Sequence, residues 1–474
     1  MIKIEESNIL ELQDAMQTNK LTSRELVLYY FSRIAEIDKC ESGLNSVLEL
    51  NPDALFIADS LDEMRANGTI LGPLHGIPIM LKDNISTHDK MRTSAGSVAL
   101  QDNYAPYDAH IVKLLREAGA VILGKTNMTE FANFMTDGQM PNGYSSRGGQ
   151  TLNPYNKTAD PSGSSTGSAV AVSANLCAVA VGTETCGSII SPAQVNGIVG
   201  IKPTMGLLSR HGIIPISFTF DTAGPMARTI TDTAVLLGVL TGKDNNDSAT
   251  YNAKQVDYTQ YLDKNGLDGA RIGINHMYLE NADKEKTAIL ESLIPIMEKH
   301  GAKCVELPAH SLKPGDSYSA ISKYEFKCGI NNYLASMNNN KIPKNLQEII
   351  LYNQNHTKEA LKYGQSTLID AQNNSSGTLT EPDYIKAILA REEIIREYDR
   401  IYLENEVDII FDLAGSDLPP FTGFPCMTIP VGTTSDNLSL GSSWAARRFD
   451  EKSLIRVMYA LEQILNARRN PLKK

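Results

Sequence analysis

Pro161-Ser162-Gly163-Ser164-Ser165-Thr166-Gly167-Ser168 opens a segment that continues as Ala169-Val170-Ala171-Val172 and closes as Gly182-Thr183-Glu184-Thr185-Cys186-Gly187-Ser188. Two clusters of glycine and hydroxyl residues thus flank a run of small apolar ones. That run predicts a closely packed helix over 168–176 and a buried strand over 178–181. Glycine and serine let backbone approach backbone and let N–H groups converge on a ligand. A serine here is a candidate nucleophile, but the segment itself does not say which one, or with what base.

On either side of this segment, strands are expected at 77–81, 121–123, 200–202, 271–274, 303–307, 408–411 and 427–429. Helices are expected within 8–38 and at 51–67, 108–118, 129–134, 231–240, 284–300 and 382–405, the last with Pro382 at its first position. The Asn-rich part, 331–375, reads as polar surface helices and loops. Alternating helices and strands argue for an α/β protein. Length alone would allow roughly three domains, yet no linker, repeat or low-complexity block marks a boundary.

The chain has 474 residues, is 42% hydrophobic and 21% charged, and carries a formal net charge of −11. That balance argues against nucleic-acid binding, which needs a basic surface. No apolar run reaches the roughly 18 residues of a membrane span. Met1-Ile2-Lys3-Ile4-Glu5-Glu6 lacks the basic stretch and apolar core of a signal peptide. Cys40, Cys177, Cys186, Cys304, Cys328 and Cys426 show no paired or zinc-type spacing. Free thiols in the cytoplasm, with no metal and no cofactor, are therefore expected.

Two short patterns match and are set aside. Gly119-Ala120-Val121-Ile122-Leu123-Gly124-Lys125-Thr126 fits a phosphate-binding loop, but its middle residues form a strand rather than a flexible loop. Gly163-Ser164-Ser165-Thr166-Gly167 fits a nucleophile elbow centred on Ser165, which would make an esterase of the α/β-hydrolase type. An elbow needs a strand directly before it, whereas Asn153-Pro154-Tyr155-Asn156-Lys157 is loop-like, and no downstream histidine has a distinguishing context. A lysine base is the remaining option. Lys82 ends the aliphatic run Ile77-Pro78-Ile79-Met80-Leu81, and burial there would lower its pKa enough for proton abstraction near neutrality. The competing reading pairs Lys82 with Asp83 at the surface.

Gly76 to Asn84, the Ser-rich cluster and the Gly182–Ser188 cluster resemble, in order and spacing, the amidase signature family. The resemblance extends to Leu21-Thr22-Ser23-Arg24-Glu25-Leu26, Gly124-Lys125-Thr126-Asn127, Asp221-Thr222-Ala223-Gly224-Pro225-Met226-Ala227-Arg228 and Phe424-Pro425-Cys426-Met427-Thr428-Ile429-Pro430-Val431-Gly432. It implies one domain over 1–474 with a signature core about 76–232, in which a large mixed, twisted sheet is covered by helices on both faces. It also implies a Ser–Ser–Lys triad: Ser188 as nucleophile, Ser164 as bridging serine on a cis peptide, and Lys82 as base. Lys82 would draw a proton from Ser164, and Ser164 from Ser188, whose Oγ attacks the amide carbonyl. The relay would protonate the leaving amine, and water would hydrolyse the acyl-enzyme. The N–H groups of Thr185, Cys186, Gly187 and Ser188 would form the oxyanion hole, where one donor is typically worth about 3–4 kcal/mol. Ser165 would either hold Lys82 or start the following helix, and Thr183 and Asn84 would brace the site.

Ser162, Thr166, Glu184, Cys186 and Ile190 depart from the commonest family pattern. Ile190 in place of arginine points away from the glutaminase subunit of the aminoacyl-tRNA amidotransferases. Ser146-Arg147-Gly148-Gly149-Gln150-Thr151-Leu152-Asn153-Pro154-Tyr155 and Gly182-Thr183-Glu184-Thr185 are most similar to the bacterial peptide amidases, which remove C-terminal amides. The expectation is a stand-alone amidase acting on a small-molecule or peptide amide, with no obligate partner subunit. The glutaminase subunit is the alternative. Residues 128–140, 213–220, 317–327 and 412–422 are expected to supply substrate loops. For Cys186, either only the N–H matters or its side chain lines the pocket.

Overall fold

A computed structural model describes every residue except 1, 2, 278, 280, 281 and 474. Fifteen strands are present among the described residues. In chain order they begin with β1 (Val47–Leu50), β2 (Pro78–Lys82), β3 (Val121–Thr126), β4 (Tyr144–Ser145) and β5 (Gly149–Gln150). Next come β6 (Val179–Glu184), β7 (Val199–Lys202), β8 (Thr222–Ala227), β9 (Arg271–Asn275) and β10 (Lys303–Glu306). The last five are β11 (Ile409–Asp412), β12 (Cys426–Thr428), β13 (Pro430–Thr433), β14 (Ser439–Gly441) and β15 (Ser443–Ala446).

Eleven of them make one mixed sheet in the order β1-β3-β2-β6-β8-β7-β12-β15-β11-β9-β10. β2 runs parallel to β3 and β6, and β8 lies antiparallel between β6 and β7. Every residue of β2, β3, β6 and β8 is buried. Their near-continuous apolar runs are what a strand covered on both faces requires. The fold is a single-domain α/β architecture, as the sequence indicates.

The helix Thr166–Ser173 is buried along its whole length. A Cβ on Gly167 would lie 2.3 Å from Asn127 O and 2.5 Å from Ser46 O, so nothing larger than glycine fits there. This is why the run needs small residues. The long helix Pro382–Asn405 begins on its proline, as expected.

Four readings change. The helix expected at 129–134 is a tight turn, with Phe131, Ala132 and Asn133 all at positive φ (48°, 53° and 73°). Residues 331–375 are not merely surface: Tyr333, Leu334, Leu346, Ile349 and Leu368 are buried in a second apolar cluster with Phe131 and Phe326. The helix expected at 284–300 is two, Lys284–Glu291 and Leu293–Lys299. Pro295 has no N–H to give to Glu291 O and its ring crowds that carbonyl, which favours a break there. Finally, the 221–228 segment, assigned no element from sequence, supplies the interior strand β8.

Candidate active site

β2 and β6 end side by side, and their termini carry the candidate residues. Lys82, the last residue of β2, is completely buried. Its Nζ lies 2.8 Å from Ser164 Oγ, 3.0 Å from Ser165 Oγ and 3.1 Å from Thr183 O. Burial pushes its pKa down to about 7, and the nearby charges of Asp221 and Glu184 offset this only in part. Asp83 does not pair with it. Successive strand side chains face opposite ways, and the Asp83 carboxylate accepts from Gly96 N (2.9 Å), Ser94 and Arg147 instead.

Ser164 follows a cis peptide after Gly163, and its carbonyl accepts from Thr129 N (3.1 Å). Ser165 occupies the N-cap position of the helix Thr166–Ser173, but its side chain does not cap it. Its hydroxyl donates to Thr183 O (2.9 Å) and accepts from Thr183 N (3.1 Å), besides meeting Lys82. Of the two roles considered for Ser165, the hydrogen bond to Lys82 is the one formed. No imidazole is among its partners in the described residues, which removes the geometric basis for an elbow esterase. Gly182 makes the approach possible, since a Cβ there would come within 2.9 Å of Ser165 Oγ.

Ser188 sits on the turn between β6 and the helix Ile190–Val195. Its carbonyl accepts from Ser165 N (3.1 Å), which anchors the turn to the Lys82 cluster. Its hydroxyl has no hydrogen bond to protein among the described residues, so none joins it to Ser164. Hydrogen bonds of this kind are commonly long in ligand-free sites and tighten around a substrate.

Glu184, unassigned from sequence, shapes this turn. Its Oε1 accepts from Gly187 N (2.8 Å), and its Oε2 from Ile189 N (2.7 Å) and Ile190 N (3.0 Å). The Gly187 N–H, expected in the oxyanion hole, is therefore already spent. The N–H groups of Thr185, Cys186 and Ser188 have no protein acceptor among the described residues. Sequence shows an acid four residues before the serine, but not that it reaches back over the turn. Asn84 Nδ2 donates to Thr183 Oγ1 (2.9 Å), a contact that ties the ends of β2 and β6 together. Thr185 Oγ1 donates to the half-buried Asp221 (2.6 Å).

The side chain of Cys186 lines a cavity, with Sγ 3.6 Å from Asp417 Oδ1. Burial and the charges of Asp417 and Glu184 push its thiol well above the usual range, so it stays protonated and poorly nucleophilic. Lys125, in the phosphate-loop pattern, is a buried strand residue bonded to Ile85 O (2.6 Å) and Thr93 Oγ1 (2.9 Å). No group of three or more His, Cys, Asp or Glu side chains is placed to hold a metal among the described residues. No helix among them is long and apolar enough to cross a membrane.

Known proteins share this fold. The family model described as Amidase matches residues 25–420. The crystal structure of native peptide amidase from Stenotrophomonas maltophilia superposes with a TM-score of 0.93 at 40% identity, covering 98% of each chain. An amidase family protein from Bacillus anthracis gives a TM-score of 0.92 at 36% identity, covering 99% of this chain and 93% of its own. A glutamyl-tRNA(Gln) amidotransferase chain of Natranaerobius thermophilus is 30% identical, covering 99% of this chain and 98% of its own.

Proposed function

Since the chain belongs to the amidase signature family and is an amide hydrolase, we propose that it cleaves carboxamides through an acyl-enzyme on Ser188, with Ser164 as relay and Lys82 as base. The observation that carries this reading is Lys82: fully buried, with Nζ 2.8 Å from Ser164 Oγ and its pKa lowered to about 7. A lysine that is neutral near pH 7 accepts a proton from Ser164 as Ser164 takes one from Ser188. The developing oxyanion is received by the N–H groups of Thr185, Cys186 and Ser188, donors that need no reorganisation. Glu184 fixes the turn from below, and Ser165, Thr183 and Asn84 hold the base and its strand.

The substrate class we favour is a C-terminal carboxamide of a peptide, in line with the similarity to the Stenotrophomonas enzyme. We read the protein as cytoplasmic and active without a partner subunit, its six thiols being unpaired. The purified chain should release ammonia from amidated peptides and leave free glutamine largely untouched. Glutamine hydrolysis that appears only on adding other subunits would instead make it the glutaminase part of an amidotransferase.

A further inference from the structure

The end of β6 divides the space around the site. Side chains alternate along a strand, so Thr183 faces a cavity of about 370 Å³ and Glu184 another of about 660 Å³; in the bend that follows, Thr185 lines the first and Cys186 the second. The expected substrate loops divide in the same way. Residues 213–218 and Ala132 line the smaller cavity, whereas Tyr318 and residues 414–418 line the larger.

The smaller cavity is the one joined to the base. Its floor includes Thr183, whose carbonyl meets Lys82, and Asn84, two residues beyond Lys82. Its walls carry Ile213, Ile214, Ile216, Phe218, Tyr107 and Tyr333. The charged groups that reach it are already engaged. Asp221 is held by Thr185 Oγ1 (2.6 Å), Ile216 N (2.8 Å) and Ser217 N (2.9 Å), and Arg210 is paired with Asp247 (2.5 Å). The larger cavity, in contrast, carries the exposed Asp417 and Lys313. One floor atom of the smaller cavity is unsatisfied: Asn84 Oδ1 is buried and has no partner among the described residues. A buried acceptor in this state is completed by an N–H of the substrate's own carboxamide at the floor, which leaves the apolar walls for the side chain.

Building on the amidase reading, we propose that this smaller cavity is the specificity pocket. It takes an apolar side chain, up to the size of an aromatic ring, from the residue whose carboxamide is cleaved. The rest of the peptide leaves through the larger, charged cavity. The volume lies within the roughly 300–1,000 Å³ of small-molecule sites. A charged side chain is rejected because no free counter-charge on these walls repays its desolvation.

The test compares kcat/KM for N-acetyl amides of phenylalanine, leucine, glycine and aspartate on the wild type, N332W and F218A. Asn332 is an exposed helix residue at the cavity wall, and Phe218 is a partly exposed wall residue, so both substitutions spare the core. The wild type should favour phenylalanine and leucine over glycine at least tenfold, with aspartate lowest. N332W, which fills the mouth, should cut the phenylalanine-to-glycine ratio tenfold, and F218A, which opens the wall, should reduce it less. Equal turnover of all four amides, or ratios unmoved in both variants, overturns the pocket assignment while leaving the amidase reading intact. An enzyme that hydrolyses none of them and whose serines resist a fluorophosphonate fails at the earlier step.

Discussion

Replacing Lys82 by methionine separates its role as a buried base from any other role. The native pKa is about 7, against an ordinary value of 10.5. Desolvation is the main cause, partly countered by Asp221 and Glu184. Below pH 7 both the folded and unfolded chains hold the proton, and the folded state bears the full cost of a buried ammonium. Between about pH 7 and 10.5 the unfolded chain binds more protons than the native one, so stability rises with pH at about 1.4 kcal/mol per unit. From pH 6 to pH 9 the gain attributable to this lysine is of the order of 3 kcal/mol. K82M removes that slope and adds only a pH-independent offset for its lost hydrogen bonds. Urea unfolding of wild type and K82M at pH 6, 7, 8 and 9 therefore gives curves that converge or cross, with the variant's advantage greatest at acid pH. In wild type, kcat/KM should fall tenfold per unit below an apparent pKa near 7, because the base must be neutral. Parallel stability curves over this range would mean that Lys82 keeps an ordinary proton affinity and is no buried base.

Three more substitutions probe the surrounding shell. S165A leaves the buried Thr183 N–H without its acceptor and Lys82 with one contact fewer; steady-state kinetics should show kcat down about 5- to 150-fold, from about 1–3 kcal/mol for a buried donor left unsatisfied. E184Q turns one of the oxygens holding Gly187, Ile189 and Ile190 N–H into a donor and removes a charge that supports Lys82 protonation. A pH–rate profile should show both a lower kcat and an acid limb moved to lower pH, while a limb that stays in place would count against the coupling. G182A puts a methyl 2.7 Å from Met226 Sδ and 2.9 Å from Ser165 Oγ. Denaturation should report a loss of about 1–3 kcal/mol, accompanied by reduced activity.

Local chemistry accounts for what the sequence makes legible. The aliphatic run ending on Lys82 and the small-residue helix at Thr166–Ser173 can be read directly, because each is a continuous pattern with a single physical explanation. The Thr222–Ala227 strand cannot, because Gly224 and Pro225 are poor strand formers in isolation; its place is set by pairing with β6 and β7. A helix around Glu130–Asn133 fits the local residues, but tertiary contacts override it. Phe131 N donates to Ala95 O and Thr129 N to Ser164 O, which bends the chain through positive φ. The cap on the Ser188 turn is hidden for a similar reason. Glu184 is an ordinary acid in the sequence, and only the fold directs its two oxygens at three N–H groups.

In the proposed mechanism Ser188, and not the neighbouring Ser165, attacks the substrate. Labelling with a fluorophosphonate followed by peptide mass mapping tests it most directly. The adduct should lie on Ser188, persist in S165A at a reduced rate, and vanish in S188A and K82M. An adduct on Ser165, or undiminished labelling of S188A, would contradict the account.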